Sequence, residues 1–225
     1  MTVKNKDQAA AVLVSGGVES AAMLSDALKR FERVYPVYIR KGFIWETVEQ
    51  VHLKRLLKSL AAESEGLAPL SVLEAPMKPV YKPHWSLGVS RIPGARAPDS
   101  EVYLPGRNLL FLSLAGLFCS LRRVPVLWIG VLKGNPFKDA RPAFFKGMER
   151  LIREAAGIPV KIETPYSALS KGQVIRKHPD IDWRMTFSCL NPVNHRHCGR
   201  CQKCAERKTG FRAAAVIDPT IYSKG

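Results

Sequence analysis

Ala9-Ala-Ala-Val-Leu-Val-Ser15-Gly16-Gly17-Val18-Glu19-Ser20, continuing into Ala21-Ala-Met-Leu-Ser-Asp-Ala-Leu28, sets an apolar run of strand length against a Ser-Gly-Gly loop and then a helical pattern. A chain that enters a glycine loop as a strand and leaves it as a helix turns backbone N–H groups toward one point, where the helix N-terminus adds partial positive charge. Ser15 and Ser20 add hydroxyl donors. Phosphate is the natural occupant. A bare Ser-Gly-Gly is otherwise only a turn, so the flanking strand and helix carry this reading. The loop has neither Gly-Lys-Ser/Thr nor Gly-x-Gly-x-x-Gly, which sets it apart from the Walker loop and the dinucleotide fingerprint.

Outward from this unit, short apolar runs near 9–15, 34–39, 69–74, 125–130 and 158–163 alternate with helical patterns. That alternation predicts an α/β fold: a Rossmann-like five-stranded parallel sheet with helices on both faces. Thr47 to Leu60 puts Val48, Val51, Leu56 and Leu60 on one stripe and Lys54, Arg55 and Lys58 toward water, as an amphipathic surface helix requires. The run 107–121 is apolar nearly all round and reads as a helix buried at the middle of the fold.

Residues 76–105 break the rhythm with six prolines and two glycines. A long loop inside a compact domain is functional or disordered. Tyr81, His84, Trp85 and Ser86 make a binding loop or lid one reading, and a solvated loop pinned by Trp85 the other.

The second chemical signal is Ser188-Cys-Leu-Asn-Pro-Val-Asn-His-Arg-His-Cys-Gly-Arg-Cys-Gln-Lys-Cys204, in which two Cys-x-x-Cys steps share Cys201. Cys189, Cys198, Cys201 and Cys204 can close a tetrahedron of sulfur around Zn²⁺, and four thiolates leave no open coordination position, so the metal is expected to be structural and remote from any reacting group. A disulfide cluster is the competing reading, and no signal peptide supports it. His195 and His197 read as solvated loop residues beside an already filled site. Cys119, in Leu-Phe-Cys-Ser-Leu, reads as core packing. The expected division is an α/β domain over 1–183 and a small C-terminal zinc-binding module with its tail over 184–225.

The chain has 225 residues, 46% of them hydrophobic, enough for one substantial core, and a formal net charge of +16. Its longest apolar stretch is too short to span a bilayer. The N-terminal Met-Thr-Val-Lys-Asn-Lys-Asp lacks an adjoining apolar segment, so a cytoplasmic protein without a targeting segment is expected. The charge fits either a polyanionic partner such as tRNA or a diffusely basic surface. Around the cysteines, Arg196, Arg200, Lys203, Arg207, Lys208 and Arg212 face only Glu206, and part of that charge offsets an anionic metal centre.

Four motifs in order, Ser15-Gly-Gly-Val-Glu-Ser20, Tyr103-Leu-Pro-Gly-Arg-Asn-Leu-Leu-Phe-Leu-Ser-Leu-Ala115, Glu163-Thr-Pro-Tyr-Ser-Ala-Leu-Ser-Lys171 and the cysteine run, give a chain that resembles the QueC-like 7-cyano-7-deazaguanine synthases. These belong to the N-type pyrophosphatase-loop, or adenine nucleotide alpha hydrolase-like, superfamily. The resemblance implies a cytoplasmic ATP-dependent carbon-nitrogen ligase of the queuosine pathway. Its members adenylate 7-carboxy-7-deazaguanine, use ammonia to form the amide, and activate the amide again to form the nitrile. It further implies ATP on Ser15, Gly16, Gly17, Glu19, Ser20 and Gly130, Mg²⁺ on the phosphates, catalytic roles for Lys171 and Arg107, and substrate contacts from Asn108, Asp139 and Arg141. A homodimer is implied as well.

Two departures stand out. Glu19 replaces the usual Asp of the loop, and Arg40-Lys41-Gly42-Phe43 replaces an Asp-Tyr-Gly-Gln segment, reversing charge beside the expected nucleotide site. The competing functions are transfer of a deazapurine acyl group to an amine on a tRNA or protein, tRNA sulfur transfer, which would need an exposed catalytic cysteine, and a non-enzymatic zinc-ribbon nucleic-acid-binding protein, which would lack a nucleotide loop.

Overall fold

The computed structural model describes residues 7–223, so the N-terminal segment read for targeting lies largely outside the described residues. Five strands, β1 (Asp7–Leu13), β2 (Phe31–Arg40), β3 (Ser71–Glu74), β4 (Val126–Trp128) and β5 (Lys161–Glu163), form one sheet in the order β3-β2-β1-β4-β5. Every pairing is parallel. The order reverses beside β1, and the crevice at that switch point is where open parallel sheets hold their ligands.

Period-two alternation along β1 feeds two cores. Ala10, Val12 and Val14 pack with α1 (Val18–Arg30), α2 (Glu46–Glu63), α5 (Lys171–Lys177) and Phe211 of α6 (Gln202–Ala214). Ala11 and Leu13 face the opposite way, onto Leu112 and Ala115 of α3 (Arg107–Leu121) and Met148 and Ile152 of α4 (Pro142–Ala156). The central strand is therefore apolar on both faces, which is why its sequence runs continuously hydrophobic. α3 and α4 approach closely through Gly116, where an added Cβ would lie 2.2 Å from Ile152 Cδ1.

Two expectations about helices change. In α2 the buried residues include Val48, Leu53, Leu56 and Leu57, while Val51 is exposed: the helix is rolled to seat Leu53 under the Ser-Gly-Gly loop, where its Cβ lies 3.3 Å from the place of a Cβ on Gly16. α3 is not buried all round. It lies in an outer layer, so Leu109, Leu117 and Leu121 remain 45%, 39% and 77% exposed along one side while Leu112, Ala115 and Cys119 are fully buried. Burial pushes the Cys119 thiol up to about 12, which suits packing and removes it as a nucleophile.

A third cluster caps the C-terminal ends of the strands. Phe43, Trp45, Tyr81, Trp85, Val102 and Leu104 pack there with Phe187, Leu190 and the four clustered cysteines. Proline-rich residues 76–105 thus form an ordered wall, tied to the cysteine segment by Gln202 N donating to Pro93 O. Among the described residues, no helix is long and apolar enough to cross a membrane.

Candidate active site

The Ser-Gly-Gly loop leaves β1 at the switch point. Gly16 turns it with φ +75°, a conformation that a side chain would strain. Gly17 is the N-cap of α1 and offers no capping side chain, so the amides of the first turn are not satisfied by a cap. Ser20 Oγ donates to Gly17 O at 3.1 Å, Gly17 N donates to Ser15 Oγ at 3.4 Å, and Phe187 N donates to Gly16 O at 2.8 Å. The last bond pins the loop to the segment leading into the cysteines.

Ser15, Gly17, Glu19 and Ser20 line a cavity of about 520 Å³, which Gly130, Arg107, Asn108 and Lys171 also line. That volume is ordinary for a small-molecule site. Gly16 stands just behind the wall, outside the lining. Asp139 and Arg141 are also outside the lining: Arg141 is exposed, and Asp139 is buried under the start of α3. Asp139 Oδ2 accepts from Asn108 N at 3.3 Å, and Asp139 O accepts from Asn108 Nδ2 at 3.0 Å. Its second carboxylate oxygen has no partner among the described residues.

Lys171 begins α5, which Ser170 and Gln173 close with a reciprocal capping box. Its Nζ lies 2.9 Å from Glu19 Oε1 and 2.7 Å from Glu206 Oε1, while Lys203 Nζ holds the other oxygen of Glu206 at 2.6 Å. Burial works against the ammonium charge, but Glu19 and Glu206 outweigh it and raise the Lys171 pKa. Burial likewise opposes the Glu206 carboxylate, yet Lys171 and Lys203 pull it down to about 2. The aliphatic chain of Lys171 runs over Gly210 of α6, where a Cβ would fall 2.7 Å from Lys171 Cγ. The spacing of Gly210 from Glu206, one helical turn, is visible in the sequence, but its use as a track for Lys171 depends on the α5 and α6 packing.

Five cations in the lining, Lys41, Arg107, Lys133, Lys171 and Lys203, meet four carboxylates, Glu19, Glu49, Asp99 and Glu206. The pairings are unequal. Lys41 Nζ sits 3.2 Å from Glu46 Oε1 and 3.6 Å from Glu49 Oε2, and Tyr38 donates to Glu49 at 2.6 Å. Arg107 and Lys133 have no carboxylate within 4.0 Å among the described residues. Burial lowers the Arg107 pKa, and nearby Asp139 opposes this, but a guanidinium stays charged regardless. The free positive charge of the cavity therefore sits on Arg107 and Lys133, and it calls for an anion. Lys133 escaped the sequence reading although it follows Gly130 by three residues.

The charge reversal expected at Arg40-Lys41 is largely cancelled. Arg40 points out of the cavity to Glu74, 2.9 Å away. Lys41 is 6% exposed, lies 4.9 Å from the Tyr38 ring centre and 5.4 Å from that of Phe111, and is neutralised by its two glutamates. Beside it Phe43, Trp45 and Trp85 present an aromatic wall, with Trp45 and Trp85 stacked at 5.6 Å. Loop 76–105 supplies Trp85, Asp99, Val102 and Leu104 to the lining.

The four cysteine sulfurs lie within 4.8 Å of one another. Cys189 and Cys201 are 3.9 Å apart and Cys198 and Cys204 4.0 Å, close to the ~3.8 Å edge of a tetrahedron with ~2.3 Å metal-sulfur bonds. Backbone amides of Leu190, Asn191, Cys198 and Cys201 donate to these sulfurs, which favours thiolates. The set fits a thiophilic ion. It stands nearer the cavity than expected, since Cys189 is part of the wall. Arg207 is not surface charge. It is fully buried and donates to Thr186, Thr220 and Trp183 O, tying α6 to the tail.

Comparison with known proteins agrees with this geometry. The model of a family described as "Queuosine biosynthesis protein QueC" matches residues 9–215. Curated relatives named 7-cyano-7-deazaguanine synthase include those of Anaeromyxobacter dehalogenans, 30% identical over 96% of both chains, and Myxococcus xanthus, 31% identical over 96% of this chain and 97% of its own. A solved structure of a predicted subunit of tRNA methyltransferase from Methanocaldococcus jannaschii shares the fold, with a TM-score of 0.51 at 12% identity over 96% of this chain and 93% of that one. A 4-thiouridine synthetase, solved with RNA and ATP, covers 92% of this chain and 50% of its own at 14% identity and a TM-score of 0.50. With a Rossmann-like parallel sheet, a Ser-Gly-Gly loop at its switch point, a closed cysteine set and a family match along nearly its whole length, the chain belongs to the QueC family and is an enzyme of the ATP-dependent ligase type.

Proposed function

We propose that the chain converts 7-carboxy-7-deazaguanine to its nitrile in two activations by ATP, with ammonia as the nitrogen donor. The observation that carries this reading is the convergence of the Ser15 to Ser20 loop, the paired Lys171, the unpaired Arg107 and an aromatic wall on one cavity. ATP phosphates lie on Ser15, Gly17, Ser20 and the first-turn amides of α1, with Gly16 shaping the turn. Gly130 lines the same cavity, and a Cβ there would press on α1, 3.2 Å from Met23 Cε and 3.4 Å from Glu19 Cβ. Glu19, paired with Lys171 here, is the carboxylate that would hold Mg²⁺, and the ion would supply positive charge against the phosphates.

The flat deazapurine stacks on the Phe43, Trp45 and Trp85 wall, and Arg107 or Lys133 meets its carboxylate. Asn108 and Asp139 hold the start of α3, and hence Arg107, in register. Arg141, exposed at the N-cap of α4, reaches the acid only by reorienting. The carboxylate oxygen attacks the α-phosphorus and pyrophosphate leaves. Ammonia then adds to the acyl carbon, AMP leaves, and the amide oxygen is adenylated in turn before its C–O bond breaks to give the nitrile. Zn²⁺ is the ion for the four cysteines and its role is to fold the wall that carries Cys189. A homodimer belongs to the same reading.

Acid labelled with ¹⁸O in its carboxylate tests this. Mass analysis should find one ¹⁸O in AMP from each activation, and unlabelled AMP would refute acyl adenylation. Transfer of the acyl group to an amine on a tRNA or protein keeps the same adenylation and draws only on the +16 net charge; product mass separates the two.

A further inference from the structure

Glu46 and Glu49 share Lys41 but differ in what else they hold. Glu46 is fully used: Oε1 accepts from Lys41 N at 2.7 Å and lies 3.2 Å from Lys41 Nζ, and Oε2 accepts from Gly42 N at 2.8 Å. It closes the turn after β2 and stays outside the cavity lining, whereas Lys41 and Glu49 are part of that lining. Both contacts of Glu49 fall on Oε2, with the Tyr38 hydroxyl at 2.6 Å and Lys41 Nζ at 3.6 Å. Its Oε1 has no protein partner among the described residues, yet it is not sealed from solvent. In a residue only 7% exposed that lines the cavity, the opening is the cavity itself. Burial raises the Glu49 pKa against the pull of Lys41 and Tyr38, so an N–H donor supplied by a ligand would stabilise the carboxylate further.

The neighbours of this oxygen say what kind of ligand brings the donor. Glu49 N donates to Trp45 O at 3.0 Å, one helical turn apart, which puts the two side chains on the same face of α2 beside the aromatic wall. Lys41 Nζ and Arg107 Cζ lie 5.4 and 5.9 Å from the Phe111 ring centre. A flat ligand stacked on the wall therefore meets Arg107, Lys41 and Glu49 in turn along its edge. That edge faces two donors and then an acceptor.

We propose that Lys41 and Glu49 read the pyrimidine edge of the acid: Lys41 donates to the ring carbonyl, and Glu49 Oε1 accepts from the ring N–H and the exocyclic amine beside it. This rests on the ligase reading above. The order matches the ligand, in which carboxylate, ring carbonyl and N–H donors follow one another around one side. Lysine on a guanine oxygen and a carboxylate on a base amine are the pairings such groups make. Held the same way, adenine presents an amine to Lys41 and a bare ring nitrogen to Glu49, the reverse pattern, so the pair selects the guanine-like ring.

The test is calorimetric binding to the full chain, with Mg²⁺ and α,β-methylene ATP present, of 7-carboxy-7-deazaguanine and of its analogue lacking the exocyclic amine. The unmodified chain should hold the amine-bearing acid about tenfold or more tighter. Glu49→Gln should erase that preference while leaving affinity for the ATP analogue unchanged, with zinc content and the unfolding midpoint reporting its fold. If it does not fold, Glu49→Asp gives the same readout, because it keeps the charge beside Lys41 and withdraws the oxygen by one methylene. Equal binding of the two acids by the unmodified chain overturns the assignment. So does a folded variant that keeps the preference, or one that loses the ATP analogue instead. Pyrophosphate exchange into ATP reads the ligase step separately: an acid bound with this preference but giving no exchange overturns the ligase reading and leaves the base-reading pair in place.

Discussion

Lys171 Nζ and Glu19 Oε1 stand 2.9 Å apart across the boundary between α5 and the Ser-Gly-Gly loop. The glutamate that departs from the usual loop sequence is therefore a partner of the residue closing the far side of the cavity. Shortening the arm by one methylene, Glu19→Asp, should leave Lys171 on Glu206 alone. Pyrophosphate release is expected to fall about tenfold or more while the unfolding midpoint moves little, because Lys171 keeps Glu206 as its partner 2.7 Å away. Equal losses of rate and stability would make the pair a structural one.

Gly210→Ala opposes a local gain to a site loss. In a helix interior alanine is favoured over glycine by about 1 kcal/mol, but here the new Cβ would fall 2.7 Å from Lys171 Cγ. Lys171 must shift. The variant should be as stable as the unmodified chain, or nearly so, and clearly slower in pyrophosphate release; full activity would show that Lys171 can take another path.

Most of this framework can be read from residue order, and what cannot has a common cause. The five strands and the Ser-Gly-Gly loop follow from local alternation and turn chemistry, and the cysteine set from spacing alone. Lys41, Lys133 and Glu206 were legible only as charge. Their pairing depends on how α2, the loop after β4 and α6 converge, which no local pattern encodes. Val51 illustrates the same limit within one helix: its periodic position suits burial, yet docking on the loop rolls the face toward Leu53. Asp139 is a third case, a substrate contact by resemblance, while its oxygen accepts from the amide of Asn108 at the start of α3.

Metal removal should act on folding. Cys201→Ser, or chelation of the purified chain, is expected to lower zinc content and thermal stability together, because metal binding at a four-thiolate site is part of the folding free energy. Since Cys189 is in the cavity wall, nucleotide turnover should fall in parallel. Zinc-free protein with an unchanged melting temperature would remove the structural role.

Asp26 joins α1 to α5, accepting from Tyr166 at 2.9 Å and Lys177 at 3.0 Å and facing His178 Nε2 at 3.0 Å. Burial pushes its pKa up, but the hydrogen bonds from His178, Lys177 and Tyr166 prevail and hold it far below the usual carboxylate range. A depressed carboxylate gives stability that is present above its unfolded pKa, about 3.9, and is lost as pH falls through the folded value. Asp26→Asn should therefore cost about 1–3 kcal/mol at pH 7, with the difference from the unmodified chain shrinking below about pH 4. Denaturant unfolding at pH 7 and pH 3 measures it, and a gap that widens in acid would reverse the sign.

Arg107, unpaired in the cavity, should be felt chiefly in binding the acid. Arg107→Gln is expected to raise the KM for 7-carboxy-7-deazaguanine about tenfold or more, as loss of a charge-assisted pair does, while ATP affinity changes less. A selective loss of ATP affinity would move Arg107 to the phosphates.

The most direct measurement is product mass and pyrophosphate release from the purified chain given ATP, Mg²⁺ and 7-carboxy-7-deazaguanine, with and without ammonium. Pyrophosphate in stoichiometric burst without ammonium, and turnover to a product with the mass of 7-cyano-7-deazaguanine with it, is the result expected. No pyrophosphate and no consumption of the acid under either condition would contradict the assignment of this cavity to deazapurine adenylation.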